Sequence, residues 1–183
     1  MRIAKRAALA VAGILVLAVL VAFVLPRHAI VVRSTEIDAP PAAIYTLVGD
    51  LRHFNEWSPW SDLDPDTSYT FTGAVDGVGQ TLNWQSDDPD VGSGSMEIVG
   101  LDPDRRVDLA LHFGAEGEAI SSLRLEPAGT GTSVTWTFDS DLGFNPIARY
   151  FGLIIDGRIG PDYEKGLAKL KAVVESPPPP TDG

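Results

Sequence analysis

The sequence has no cysteine and little histidine, and these shortages exclude several kinds of chemistry. Without cysteine in its 183 residues, the chain has no disulfide framework, no thiolate metal site and no cysteine nucleophile. Only three histidines are present, and we find no nucleophile elbow, phosphate-binding loop or dinucleotide fingerprint. The sequence therefore predicts no metal and no cofactor, and it offers few side chains for catalytic proton transfer.

Positive charge is also scarce, and it is unevenly distributed. The formal net charge is −11, from 14 basic and 25 acidic side chains, which argues against nucleic acid as a partner because phosphate would be repelled. Arg2, Lys5 and Arg6 all precede the first acidic residue, Glu36. Residues 26–183 therefore carry 11 basic and 25 acidic side chains, which indicates that the two ends of the chain face different surroundings.

A long apolar run separates the basic N-terminus from the acidic remainder. Residues 7–25 form a stretch of 19 residues without a charge, and as a helix they would measure about 28 Å, close to the thickness of the bilayer core. The run is longer than the apolar region of a secretory signal, and its end lacks suitably spaced small residues. We predict a transmembrane anchor over residues 1–25, with a cleaved signal or a buried helix as alternatives. The preceding basic residues predict a cytoplasmic N-terminus and an extracytoplasmic domain.

The rest of the chain is predicted to form one domain between two extended segments. A short stalk, residues 26–29, precedes the domain, residues 30–175, and residues 176–183 form a proline-rich tail that cannot pack. Two short helices follow the first strand, and glycine, proline and aspartate turns then separate six more strands. Links this short make neighbouring strands antiparallel. The last helix, residues 146–174, contains Gly160-Pro161, which should kink or split it.

Alternation along these strands predicts a sheet with one apolar face. Trp84, Leu109 and Trp136 occupy inward positions, and their sequence neighbours are mostly polar. Such a sheet needs a cover on one side, and the C-terminal helix supplies it. The predicted fold is α+β, with a curved antiparallel sheet of six to seven strands wrapped around a long C-terminal helix. Because one helix fills the concave face only partly, a cavity is expected.

Several short motifs follow one another in an order that is typical of a known family. They are Ile37-Asp38-Ala39-Pro40, Asp50, Trp57-Ser58-Pro59-Trp60, Gly77-Val78-Gly79, Val134-Thr135-Trp136 and the stretch from Ile159 to Leu167. Together they resemble the START-like, or SRPBCC, superfamily with its helix-grip fold, and specifically its polyketide cyclase/dehydrase branch. The resemblance covers residues 30–175. It implies the fold but not the chemistry, because lipid carriers, ligand binders, cyclases and co-chaperone activators share this scaffold.

Seven residues are candidates for lining the predicted cavity: Arg33, Trp57, Trp60, Trp84, Leu109, Trp136 and Tyr163. Large aromatic side chains in a pocket bind apolar ligands, although the four tryptophans would equally serve to fill a core. Arg33 has inward parity and would hold an acidic head group, unless it extends from an edge strand to solvent. His112 should face outward, so no catalytic residue is predicted.

These observations favour a non-catalytic function. The expected protein is a membrane-anchored domain that binds a hydrophobic small molecule or lipid, because the inward strand positions carry no acid or base. Two alternatives stay open at this stage: an enzyme of the polyketide cyclase/dehydratase type, and a protein-interaction or chaperone-like module that uses the same groove. The sequence does not indicate an oligomeric state.

Overall fold

The structure is a computed structural model that describes residues 2–114 and 117–176. Its helices are α1 (Arg2–Ala22), α2 (Pro41–Val48), α3 (Phe54–Trp57) and α4 (Pro146–Glu175), with a 3-10 turn at Leu51–His53. Its strands are β1 (His28–Ile37), β2 (Ser68–Gly73), β3 (Gln80–Gln85), β4 (Ser93–Asp102), β5 (Arg106–His112), β6 (Glu118–Ala128) and β7 (Gly131–Asp141). The predicted proline-rich tail, from residue 177 onward, lies outside the described residues.

The seven strands form one antiparallel sheet in the order β1-β7-β6-β5-β4-β3-β2. Consecutive strands from β2 to β7 are neighbours, and β1 closes the order by pairing with β7, where His28 lies opposite Asp141. This arrangement confirms the predicted α+β fold with a curved antiparallel sheet and a long C-terminal helix.

The core lies between the inward face of the sheet and α4. Val107, Leu109, Leu123 and Trp136 are at most 3% exposed, as the alternating pattern predicts. Phe71 does not follow this pattern, because it is 48% exposed. It belongs to β2, the edge strand farthest from β1, and α4 packs chiefly along β1.

Helix α4 is one continuous helix of 30 residues with Pro161 inside it, so of the two expected effects of Gly160-Pro161, a kink or a split, the split does not occur. Arg33 of β1 explains how the two halves stay together, because its guanidinium donates to Asp156 before the proline and to Glu164 after it. Gly160 is buried against the same guanidinium. A proline weakens a helix locally, and here contacts on both sides of it hold the helix together.

Helix α1 is the one helix in the described part of the chain that is long and apolar enough to cross a membrane, over Ile3–Ala22 with a mean hydropathy of 2.2. Its side chains are mostly exposed, whereas Ala22 at its end is fully buried. That burial comes from the start of α4, where Arg149 donates to the carbonyl oxygen of Ala22. The helix therefore ends in contact with the domain.

Candidate functional site

The tryptophans singled out by the sequence belong mainly to one packed group, here called the aromatic cluster: Phe54, Trp57, Trp60, Trp136 and Tyr163. Trp136 stacks on Tyr163 with ring centroids 3.8 Å apart and meets the Trp57 ring edge-on at 5.2 Å. Trp57, Trp136 and Tyr163 are at most 2% exposed. Contacts this close leave no space between the rings, so the aromatic cluster is a packed part of the core.

The polar atoms of Trp136 and Tyr163 meet at Ser121. Its hydroxyl oxygen accepts the indole N–H of Trp136 at 2.8 Å and lies 3.4 Å from the hydroxyl of Tyr163. Burial raises the pKa of Tyr163 well above its usual value, since the phenolate would lose its hydration. Tyr163 is therefore neutral at physiological pH, and its role here is to pack against Trp136.

The remaining predicted residues lie apart from one another. Trp84 is half-buried near the opposite edge of the sheet, where its ring meets Phe113 at 6.0 Å and its indole N–H donates to the Val91 carbonyl. Leu109 is buried in the sheet core. Arg33 points inward as its parity predicts, but its guanidinium is bound by Asp156 and Glu164. A ligand role for these residues stays a prediction.

An open cleft of about 430 Å³ lies at the end of the sheet where α4 begins. The first half of α4 forms one wall, with Ile147, Phe151, Ile155 and Ile159. Because these residues are spaced four apart, they lie on one side of the helix. The opposite wall comes from the ends of β5, β6 and β7, and it includes two aromatic residues, Phe113 and Phe138. We call this space the α4 cleft.

The polar groups around the α4 cleft form hydrogen bonds and ion pairs with other groups of the protein. The Asn145 side chain accepts the backbone N–H groups of Ile147 and Ala148, which caps α4. The hydroxyl of Ser140 donates to the carbonyl oxygen of Glu118. The exposed Glu118 carboxylate pairs with His112. The α4 cleft therefore offers an apolar surface with a polar rim.

The α4 cleft contains none of the seven residues selected from the sequence. A pattern in the sequence of α4 nevertheless indicates its apolar wall. Residues 147, 151, 155 and 159 repeat at intervals of four, which is an apolar helical stripe. The tryptophans do not indicate the cleft, because large aromatic residues at inward positions fill a core as readily as they line a pocket. Of the strand residues in the cleft wall, Phe138 has the predicted inward parity and is 5% exposed.

Asp50, one of the family motifs, belongs to a hydrogen-bonded group at the start of the 3-10 turn between α2 and α3. Its carboxylate accepts from the backbone and side chain of Arg52 and from the amide of Gln80. The Arg52 hydrogen bonds hold the pKa of Asp50 well below its usual value, against the opposing effect of burial. Gln80 is 1% exposed and accepts the Leu51 N–H. Asp50 therefore fixes the turn that carries α3.

Three solved structures have the same architecture. A protein from Rhizobium leguminosarum is 17% identical, with a TM-score of 0.58 over 81% of this chain and 95% of the other. The Aha1 dimer from Colwellia psychrerythraea is 20% identical, with a TM-score of 0.55 over 80% and 96%. Ara h 8.0201 is 14% identical, with a TM-score of 0.58 over 80% and 97%. At these identities the likeness shows the fold alone.

Comparison with curated proteins finds no significant match. Comparison with family models agrees with the architecture and with the motifs in the sequence. The family model described as polyketide cyclase / dehydrase and lipid transport matches residues 28–175. This match begins with β1 and ends with the last residue of α4, so it covers the sheet, the aromatic cluster and the α4 cleft. The chain therefore belongs to the polyketide cyclase/dehydrase and lipid transport family.

Proposed function

We propose that this protein binds a hydrophobic small molecule or a lipid in the α4 cleft and is held at a membrane by α1. The observation that carries the proposal is the apolar wall that Phe151, Ile155 and Ile159 form against Phe113 and Phe138. A volume of about 430 Å³ lies within the usual range for small-molecule sites, which are mostly apolar with a few polar groups. The family description, which includes lipid transport, supports the same class of ligand.

A non-catalytic role fits the groups around the α4 cleft better than an enzymatic one. General acid–base catalysis needs a titratable group within hydrogen-bond reach of the reacting atoms. Among the described residues that line the cleft, Glu118 is the titratable one, and its carboxylate is exposed and paired with His112. The proposal is therefore a binding protein for an apolar ligand.

Attachment to the membrane is supported by the way α1 ends. Buried Arg149 donates to backbone carbonyl groups at and beyond the end of α1, those of Ala22, Phe23 and Leu25. A cleaved signal would remove the helix to which these contacts belong, so they favour an uncleaved anchor. Following the sequence-based orientation, the N-terminus is cytoplasmic and the domain extracytoplasmic.

Photolabelling of the full chain in reconstituted membranes tests the binding site. A photoreactive fatty acid should label peptides from residues 142–159, and Ala148→Phe should reduce that labelling about tenfold, equivalent to about 1.4 kcal/mol of binding free energy. Ala148 lines the cleft, so the added ring would fill it. Ala168→Phe is the matched control, because Ala168 is an exposed residue of the same helix. Equal labelling of both variants would contradict the site.

A further inference from the structure

The first half of α4 is apolar on more than one side, yet much of it is exposed. Ile147 and Phe151 line the cleft and are still 66% and 60% exposed. Leu153 and Ile154 do not line the cleft, and they are 59% and 48% exposed. A helix that is apolar around its circumference is normally buried in protein or in a membrane. The described part of the chain leaves these side chains uncovered.

Arg149 fixes this half of α4 against the end of α1. Its guanidinium lies 5.5 Å from the Phe23 ring centroid and donates to carbonyl groups that include those of Ala22 and Leu25. These carbonyl groups lie at and just beyond the end of α1, so the hydrogen bonds hold the two helices together. In the segment that follows α1, Arg27 forms a bidentate ion pair with Asp141. The domain is therefore joined to α1 by a defined contact.

Tyr150 shows how far α4 reaches along α1. Its hydroxyl donates to the carbonyl oxygen of Ala18 at 2.8 Å. Ala18 lies seven residues before Leu25, the end of the apolar run, which is about 10 Å along a helix. If α1 spans the bilayer, this part of α4 lies below the level at which the chain leaves the apolar region. Tyrosine is enriched at the membrane–water interfaces of membrane proteins.

The charge pattern of this segment is consistent with an apolar surrounding. The chain has 25 acidic residues, but none lies between Asp141 and Asp156. The one charged residue in that interval is Arg149, and its guanidinium is bound by carbonyl groups. Nothing in the interval would therefore oppose contact with lipid chains or with anionic head groups.

We propose that residues 144–155 lie in the interfacial layer of the lipid bilayer, with the mouth of the α4 cleft facing the acyl chains. Ile147 and Phe151 belong both to the cleft and to the exposed apolar surface, so the two surfaces are continuous. The ligand is then a membrane lipid whose chain enters the cleft from the bilayer without crossing water. This inference rests on the proposed function, because it uses the same cleft and the same anchor.

Site-directed spin labelling of the full chain in liposomes tests the proposal, and the absence of cysteine makes single-cysteine variants simple. Labels go at Leu153→Cys, Ile14→Cys and Ala168→Cys, and their collision rates with oxygen and with a water-soluble nickel complex are measured. Oxygen concentrates in the bilayer and the nickel complex in water. We expect the label at residue 153 to have the same collision rates as the label at residue 14, high with oxygen and low with the nickel complex. The label at residue 168 should still collide with the nickel complex.

The outcomes separate this inference from the proposed function. If residue 14 is protected from nickel and residue 153 is as accessible as 168, the bilayer contact is wrong and the anchor stands. If residue 14 is also accessible, both the anchor and the bilayer contact are wrong. Protection of residue 153 from both reagents, with spin–spin broadening, would mean that a second copy covers this face and would overturn the proposal. None of these readings depends on whether the α4 cleft holds a ligand, which the labelling of Ala148→Phe tests separately.

Discussion

Gly166 of α4 lies directly against the indole of Trp136, and a Cβ atom at residue 166 would stand 2.7 Å from Cζ3 of that ring. On its other side the same Cβ atom would stand 3.1 Å from Cδ of Pro59. Neither neighbour is the end of a flexible side chain. The approach of the helix to the sheet therefore depends on glycine at this position.

Two glycine substitutions in α4 should change stability in opposite directions. Gly166→Ala should destabilise the domain by about 1–3 kcal/mol, the usual cost of overpacking. Gly157→Ala should stabilise it by about 0.5–1 kcal/mol, because a Cβ atom there meets nothing within 4 Å and alanine favours helix. Denaturation midpoints of the two variants provide the measurement. A midpoint for Gly166→Ala equal to or above that of the wild type would contradict the packing described here.

Truncation of a tryptophan should separate the core from the ligand site. Trp136→Ala should cost about 3–5 kcal/mol, the range for a fully buried large aromatic residue, and should leave photolabelling of residues 142–159 unchanged in the folded fraction. Trp84→Ala should cost less, because Trp84 is half-buried. Thermal denaturation and labelling on the same samples give both quantities. If Trp136→Ala lowers labelling as much as Ala148→Phe does, the aromatic cluster is part of the ligand site.

Hydrogen exchange should distinguish the two halves of α4. Amides of residues 147–158 should exchange faster than those of 163–174, because the second half carries the buried residues Tyr163, Leu167 and Leu170. Arg33→Met should widen the difference, since it removes the ion pairs on either side of Pro161. Ligand in the α4 cleft should narrow this difference in exchange rate, because the first half of α4 forms one wall of the cleft. Equal, strong protection of both halves without ligand would contradict the lower local stability expected of the first half.

Asp50 should make stability depend on pH in the acid range. Its pKa in the folded protein is lowered from a usual value of 3.8, so folding favours the carboxylate. The stabilisation is complete above the unfolded pKa and is lost as the pH falls below about 4 towards the lowered value. Asp50→Asn should lower the free energy of unfolding by about 1.5–3 kcal/mol at pH 7, the range for a hydrogen bond to a charged group. The difference in the free energy of unfolding between the wild type and Asp50→Asn should become smaller as the pH falls.

Urea titrations between pH 2.5 and 7 check the role of Asp50. Asp87→Asn is a suitable control, because Asp87 lies in an exposed turn and its substitution should leave the pH profile of the wild type unchanged. A difference in the free energy of unfolding between wild type and Asp50→Asn that stays constant across this pH range would show that the charge of Asp50 does not stabilise the fold.

Local patterns in the sequence were enough to predict the sheet and its buried face. Alternation in β5, β6 and β7 depends on neighbours within each strand, so it can be read without knowing the fold. The partners of Arg33 could not be predicted, because Asp156 and Glu164 are more than 120 residues away and meet it only where α4 crosses β1. The exposure of Phe71 could not be predicted for the same reason, since it depends on where α4 lies.

The proposed site was harder to predict than the fold, because burial and ligand contact select the same residue types. Trp136 and Phe138 both have inward parity in β7, yet Trp136 packs in the aromatic cluster whereas Phe138 lines the α4 cleft. What separates them is the position of α4 along the strand, which is a property of the whole fold.

Native mass spectrometry of the full chain, extracted from its host membrane, shows whether the protein carries an apolar ligand in the α4 cleft. We expect one apolar adduct per chain in the wild type and in Ala168→Phe, with a mass in the range of lipids or hydrophobic metabolites, and its loss in Ala148→Phe. An adduct retained by Ala148→Phe would place the ligand elsewhere. Its absence from folded wild-type protein, even after incubation with extracted host lipids, would contradict the account.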